Sequence, residues 1–293
     1  MKDLHHILAV LKGKPSDAAV ISKASRIAAA SLASLTFLIV LSIEERFFTW
    51  GTERSIIRQK FRVLLDRIDQ YEDFVPQAKV KLAESGMPFS AVQKELSVKM
   101  ADLIVVENDH HHDYKLPLTM PLDLHLLRDT DVPVLFVDKK PWLKNGVLTA
   151  ALDLDESEVN MPNGLNDQLV EESQYIAQLL DFDVQLLTCF LNDDLTMSCH
   201  TDDIEHRKLS PKEEHIQKIL AEASQFQIPQ ERCRIEEGLP DDVLPRVVKE
   251  HQSNILILGA RSHQGILGRL RGHTSEYVID KLDSDMLAYK AVH

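Results

Sequence analysis

Asn254-Ile255-Leu256-Ile257-Leu258-Gly259-Ala260-Arg261-Ser262-His263-Gln264-Gly265 is an apolar run that breaks abruptly into glycine and polar residues. The run is continuous, not alternating, which is the pattern of a strand covered on both faces, as in a parallel sheet. It has an earlier counterpart in Asp102-Leu103-Ile104-Val105-Val106, 152 residues upstream. Residues 86–137 lie over 238–289 at that same offset without a gap. Gly86-Met87-Pro88 falls on Gly238-Leu239-Pro240, Leu126-Leu127 on Val278-Ile279, and Val134-Leu135 on Met286-Leu287. The copies diverge just after the shared strand. The second continues through Gly259 and Gly265 to Gly272; the first reads Glu107-Asn108-Asp109-His110-His111-His112-Asp113. One scaffold carries two chemistries at one topological place.

Outward from this pair, each half alternates strands and helices. The first half reads as strands 7–11, 35–41, 78–83, 102–106 and 134–137. Between them come a helix from Asp17 with Ser16 as N-cap, a helix over 54–68, one over 89–100 and a short one over 122–127. The second half reads as strands 147–152, 183–190, 232–236, 255–258 and 286–292, with helices over 164–180, from 211, over 243–251 and over 274–282. Ser210-Pro211-Lys212-Glu213 has the capping-box spacing, with proline at the first helical position. Ile216, Ile219, Leu220, Ala223 and Phe226 then form an apolar stripe. The segment Lys139 to Gly146 interrupts the periodicity and reads as a linker between domains over 1–143 and 144–293. The pattern predicts two tandem doubly wound α/β/α domains, each on a five-stranded parallel sheet. Such sheets bind ligands at the carboxyl ends of the strands, where strand order reverses.

The chain has 293 residues and a net charge of −13. That balance excludes nucleic acid and anionic membrane surfaces as expected partners, since no excess of Lys or Arg is available to neutralise phosphates. Cys189, Cys199 and Cys233 form an odd, sparse set, not a disulfide framework. With no signal-peptide pattern at the N-terminus, a cytoplasmic setting is expected. The apolar stretch from Ile27 to Ile43 is near the lower length limit for a membrane span. The preferred reading is the end of a helix, a short turn and a buried strand.

Glycines let backbone N–H groups approach phosphate oxygens, and a following helix N-terminus adds a positive dipole end. Gly259, Gly265 and Gly272, just before the helix at Thr274, have that form, and Arg261, Arg269 and Arg271 add local positive charge. Spacing alone is equally that of an ordinary loop. The set Ile257-Leu258-Gly259, Gly265, Gly272, Thr274, Glu276 and Val278 resembles the C-terminal signature of the universal stress protein family. With the duplication, and with Leu126-Leu127-Arg128 leading to Pro133-Val134 and Pro141-Trp142, the resemblance is to the tandem, E-type members. It implies the adenine nucleotide alpha hydrolase-like fold. It also implies that, in nucleotide-binding members, the glycine loop holds ATP phosphates and an aspartate ending the first strand contacts the nucleoside. Asp153 matches that aspartate; Gly259 and Gly272 match glycines. The family's second glycine falls on Ser262, and its serine or threonine falls on His273, with Thr274 next. In the first half the aspartate position is Lys12 and the glycine positions are Glu107, His110 and Met120, so family-type ATP binding is not expected there.

His110 and His112 point the same way in an extended segment and, with His125 or a carboxylate, could hold a first-row metal, zinc by default. The competing reading is a solvated polar loop. No catalytic constellation is found: no motif activates a thiolate, and no strained serine elbow is present. The expected function is a stress-response binding protein, with an adenine nucleotide in the second domain and a metal or small ligand in the first. A weak ATPase and an interaction module with vestigial sites are the alternatives. Pairing of the two domains as an internal pseudo-dimer, or a homodimer through the last strand, is the expected assembly.

Overall fold

The computed structural model describes residues 3–40, 62, 66, 68, 78–83, 87–109, 120–154, 164–192, 209–260 and 274–289. The chain divides into two compact units, Met1–Pro141 and Trp142–His293. The sequence-predicted helix over 54–68 falls mostly outside the described residues.

In the first unit the elements are β1 (His6–Leu11), α1 (Asp17–Ser31), β2 (Ser34–Ile39), β3 (Lys79–Leu82), α2 (Pro88–Val98), β4 (Leu103–Glu107), α3 (Leu122–Asp129) and β5 (Val134–Val137). Its strands are parallel, in the order β3-β2-β1-β4-β5. β1 and β4 are buried along their whole length, which accounts for their unbroken apolar sequence. The chain moves outward from β1 to β3 and then returns to β4 on the other side. Right-handed crossovers therefore put α1 on one face and α2 with α3 on the other. The reversal leaves a crevice at the carboxyl ends of β1 and β4.

The second unit repeats this with β6 (Val147–Leu152), α4 (Leu165–Leu180), β7 (Asp183–Phe190), α5 (Pro211–Gln225), β8 (Cys233–Glu237), α6 (Pro240–Glu250), β9 (Ser253–Gly259), α7 (Thr274–Lys281) and β10 (Asp285–Tyr289). The order is β10-β9-β6-β7-β8, again parallel, so the reversal lies between β6 and β9. α4 packs on β6, β7 and β9, α5 packs on β7 and β8, and α6 packs against α7.

The apolar stretch from Ile27 resolves into a helix end and a strand start. Leu32 takes the left-handed conformation at φ 58° and stops α1, and Ala33 N donates to Ala28 O. Asp181 repeats the device after α4, with φ 58° and Phe182 N donating to Ala177 O. Among the described residues no helix is long and apolar enough to cross a membrane.

Helix starts follow the sequence unevenly. Ser210 and Glu213 form the reciprocal capping box at α5. Pro88 and Pro240 each occupy the first position of a helix, so these helices begin before the expected 89 and 243. Ser16 does not cap α1; it sits in the helical region and makes no side-chain cap bond. The first-turn N–H groups of Asp17, Ala18 and Ala19 go instead to the carbonyls of Lys14, Pro15 and Ser16, and the Asp17 carboxylate ties down the preceding loop by accepting from the N–H groups of Lys12 and Lys14, both at 3.0 Å. The buried stripe of α5 also runs differently. His215, Ile219 and Ala223 are buried, whereas Ile216, Leu220 and Phe226 are only half-buried. His215 is accommodated because Nδ1 donates to Pro211 O at 2.9 Å and the ring lies against Phe190.

At the start of the second unit β6 and β9 shift register between Val147 and Leu148, so Asn254 bulges out of the ladder. Its amide turns onto Leu143, accepting from the N–H and donating to the C=O, each at 3.0 Å. The indole N–H of Trp142 donates to Asp285 at 2.8 Å.

Candidate functional site

The second unit brings Asp153 and Gly259 to neighbouring strand ends. Ala151 is in register with Leu258, so Gly259 lies abreast of Leu152, one residue before Asp153. The Asp153 carbonyl accepts from Asn166 Nδ2 at 2.8 Å. The next carbonyl, of buried Leu154, accepts from Lys218 Nζ at 2.7 Å. Lys218 in turn pairs with Glu214 at 2.7 Å. The two carbonyls beyond β6 are thus held by one side chain from α4 and one from α5. Neither Asn166 nor Lys218 was flagged by sequence. Lys218 lies 64 residues from Leu154, and no spacing rule links them.

Gly259 has a packing reason for being glycine. A Cβ there would lie 3.1 Å from Leu165 Cδ2 and 3.6 Å from Leu169 Cδ1, so α4 comes down directly on the end of β9. After Gly259 the chain is tied once more, by Ala260 N donating to Tyr289 O at 2.7 Å. Burial raises the Tyr289 hydroxyl above its ordinary range. Thr274 is the first residue of α7. Ser262, Gly265, Gly272 and His273 lie outside the described residues.

Glu222 of α5 is near enough to Asp167 of α4 to be influenced by its charge. Burial, and then the charge of Asp167, push Glu222 up to about 7. Its Oε2 is fully buried, with no partner among the described residues.

The equivalent edge of the first unit is filled with its own charges. Lys12 follows β1 where Asp153 follows β6. Its ammonium donates to Glu107 O at 3.3 Å and forms an ion pair with Asp109. Lys14 reaches the other oxygen of Asp109 at 3.4 Å. Asp109 N donates to Asp123, which is completely buried. Asp17, also completely buried, has its carboxyl raised mainly by burial, a shift opposed by the N–H groups of Lys12 and Lys14.

His125 on α3 is paired with Asp129 at 3.3 Å and stacked on Phe89 of α2 at 4.9 Å. His110 and His112 lie outside the described residues. Among the described residues, no group of three or more His, Cys, Asp or Glu is arranged to hold a metal ion. Cys189 is a half-buried cysteine, and Cys233 is a buried one whose thiol is raised chiefly by desolvation. A raised thiol is not an activated nucleophile, which sets Cys233 apart from that role.

Residues 165–290 match the family model described as the universal stress protein family. The match falls within the second unit. Along most of its length it is similar to universal stress protein E. It is 26% identical to that of Escherichia coli (strain K12) over 254 residues, covering 86% of this chain and 79% of the relative. For the homolog in Haemophilus influenzae the figures are 24% over 257 residues, with coverage of 86% and 81%. Among solved structures, a functionally unknown protein from Pseudomonas aeruginosa PAO1 aligns with a TM-score of 0.69 at 20% identity, over 98% of this chain and 92% of that one. A universal stress protein from Archaeoglobus fulgidus aligns with a TM-score of 0.67 at 13% identity, over 98% and 97%. At these identities the structural likeness establishes the fold: a mixed α/β protein with parallel central strands.

Proposed function

We propose that the chain is a stress-response binding protein whose second unit takes an adenine nucleotide at the carboxyl ends of β6 and β9. The observation that carries this reading is the adjacency of Asp153 and Gly259 at the strand-order reversal, with α7 opening at Thr274 after the glycine loop. Asp153 would accept from the nucleoside. Backbone N–H groups between Gly259 and Thr274, with the α7 dipole behind them, would hold the phosphates. Native mass spectrometry of freshly purified protein tests it, together with thermal shift in millimolar ATP and magnesium. A nucleotide-sized mass increment or a rise in Tm is expected. The increment and the shift should both vanish in Gly272→Asp, where a carboxylate repels phosphate. A chain with neither response excludes ATP as the ligand.

A second reading, an interaction module with a vestigial edge, is favoured by the contact of Gly259 with Leu165, which explains that glycine without a ligand. For the first unit, the ion pair of Lys12 with Asp109 supports a role other than family-type nucleotide binding. Zinc held by His110 and His112 is the proposal there. Metal analysis of the His110→Ala, His112→Ala double variant tests it, with zinc expected to be lost.

A further inference from the structure

We propose that the amino edge of the first unit is a docking surface for a second copy of this chain, anchored on Leu32, Val98 and Met100. These residues are 93%, 71% and 71% exposed. Hydrogen bonds gather them at one edge. Leu32 stands between α1 and β2, two residues before Ser34, whose hydroxyl accepts from Lys99 Nζ at 2.7 Å. Val98 and Met100 flank that lysine. The Met100 carbonyl accepts from Nδ1 of His6, the first residue of β1, at 2.8 Å. Residues 32–34 and 98–100 bracket the start of β1, the first group following α1 on one face of the sheet and the second following α2 on the other.

The second unit shows that the scaffold does not require apolar residues here. Asp181 takes the place of Leu32 after α4, and Glu250 and Gln252 take those of Val98 and Met100 at the offset of 152. All three are exposed and polar. Leu32 is the sharper case, because it and Asp181 share a φ of 58°. A short polar side chain tolerates the left-handed conformation, whereas leucine is strained in it. Leu32 gains no burial within the chain to offset that strain. A strained, exposed leucine serves neither its turn nor the core, so its use is a contact outside the chain.

Charge selects the occupant. Residues 1–141 hold 19 Lys and Arg against 19 Asp and Glu, while residues 142–293 hold 14 against 27. The whole net charge of −13 lies in the second unit. Two copies repel through their second units and not through their first. The rim of the patch carries both signs, with Lys99 beside Asp3 and Asp102. Under a two-fold axis such a rim meets its own complement. A strongly charged partner finds no matching field at this edge. The surface is distinct from the last strand of the second unit, where pairing is expected from the sequence.

Sedimentation velocity of the full-length chain, up to about 100 µM, tests the surface. The unmodified chain is expected to dimerise, and the dimer should hold or strengthen as salt is raised, because salt screens only repulsion. The triple variant Leu32→Asp, Val98→Glu, Met100→Gln installs the residues of the second unit and should be monomeric over the same range. Leu32→Asp alone relieves the left-handed strain. It should keep or raise Tm while weakening the dimer about tenfold. A leucine that served only the fold would lower Tm when replaced and leave association unchanged. An unmodified chain that is monomeric throughout overturns the proposal. A dimer retained in the triple variant places the contact elsewhere and overturns it too, as does a dimer that dissolves when salt is raised.

Discussion

The ammonium of Lys12 and the carboxylate of Asp109 are paired across the carboxyl ends of β1 and β4, with side chains only 10% and 19% exposed. In the second unit the same strand ends carry Asp153 and Gly259. Duplication has kept the crevice and reversed its electrostatics: one copy offers a carboxylate and a glycine, and the other closes on its own ion pair. Lys12→Ala leaves Asp109, among the described residues, with the more exposed Lys14 at 3.4 Å as its cation. Loss of one partner of a largely desolvated pair costs about 1–3 kcal/mol. Thermal or urea unfolding should show that loss in the first unit. ATP binding should be unchanged, since the second unit has no part in the pair.

Gly259 can be tested for packing against ligand contact. Gly259→Ala would press a methyl onto Leu165, and overpacking of this kind costs about 1–3 kcal/mol. Leu165→Val in the same chain should recover part of that stability if the glycine serves α4. If ATP affinity recovers along with it, Gly259 acts through packing alone. Affinity that stays low in the restored double variant would mean that the backbone at 259 must itself approach the ligand. A double-mutant cycle in both readouts separates the two.

The strands were legible because parallel strands buried on both faces need apolar runs, and β1, β4, β6 and β9 are mostly Val, Ile, Leu and Ala. The Ser210 capping box announced a helix start, since it meets a local backbone requirement. The expected cap of α1 by Ser16 did not form: backbone carbonyls of Lys14, Pro15 and Ser16 take the first-turn N–H groups, a tight turn that the serine alone does not announce. The edge was legible only in part. Asp153 and Gly259 follow strands and could be read from the duplicated pattern. The bonds of Asn166 and Lys218 depend on how α4 and α5 sit over the end of β6, which neither period nor spacing encodes.

Gly146 is required by its neighbour. A Cβ at this position would stand 1.7 Å from Asn254 Nδ2, inside the bulge that lets Asn254 bond both backbone groups of Leu143. The asparagine cannot move aside without giving up those bonds. Gly146→Ala should therefore destabilise the second unit by about 2–4 kcal/mol, the cost of overpacking plus a lost hydrogen bond. Asn254→Gly should cost less than Gly146→Ala. With alanine at 146 as well, it should cost no more than it does alone. A pair of single-variant losses that simply add would contradict the geometry. Chemical denaturation of the three variants measures this.

His6 makes the first unit sensitive to acid. The ring is only 2% exposed and is fixed at both nitrogens: Nδ1 donates to Met100 O at 2.8 Å, and Nε2 lies 2.9 Å from Thr36 Oγ1. A carbonyl can only accept, so the proton belongs on Nδ1, and Nε2 accepts from the threonine hydroxyl. Protonating Nε2 would turn an acceptor into a donor in a buried site. Desolvation is the largest influence and lowers the His6 pKa, against the opposing pull of the Met100 carbonyl. The folded state therefore binds the proton less readily than the unfolded chain. The stabilisation is present above the ordinary histidine value and is lost as pH falls through and below about 6.5. His6→Gln keeps a donor and an acceptor but cannot titrate. It should lower stability modestly at pH 7.5, by about 1 kcal/mol, and flatten the decline between pH 7 and 5. Urea midpoints of both proteins across that range measure the difference. Parallel declines would show that His6 is not the titrating group.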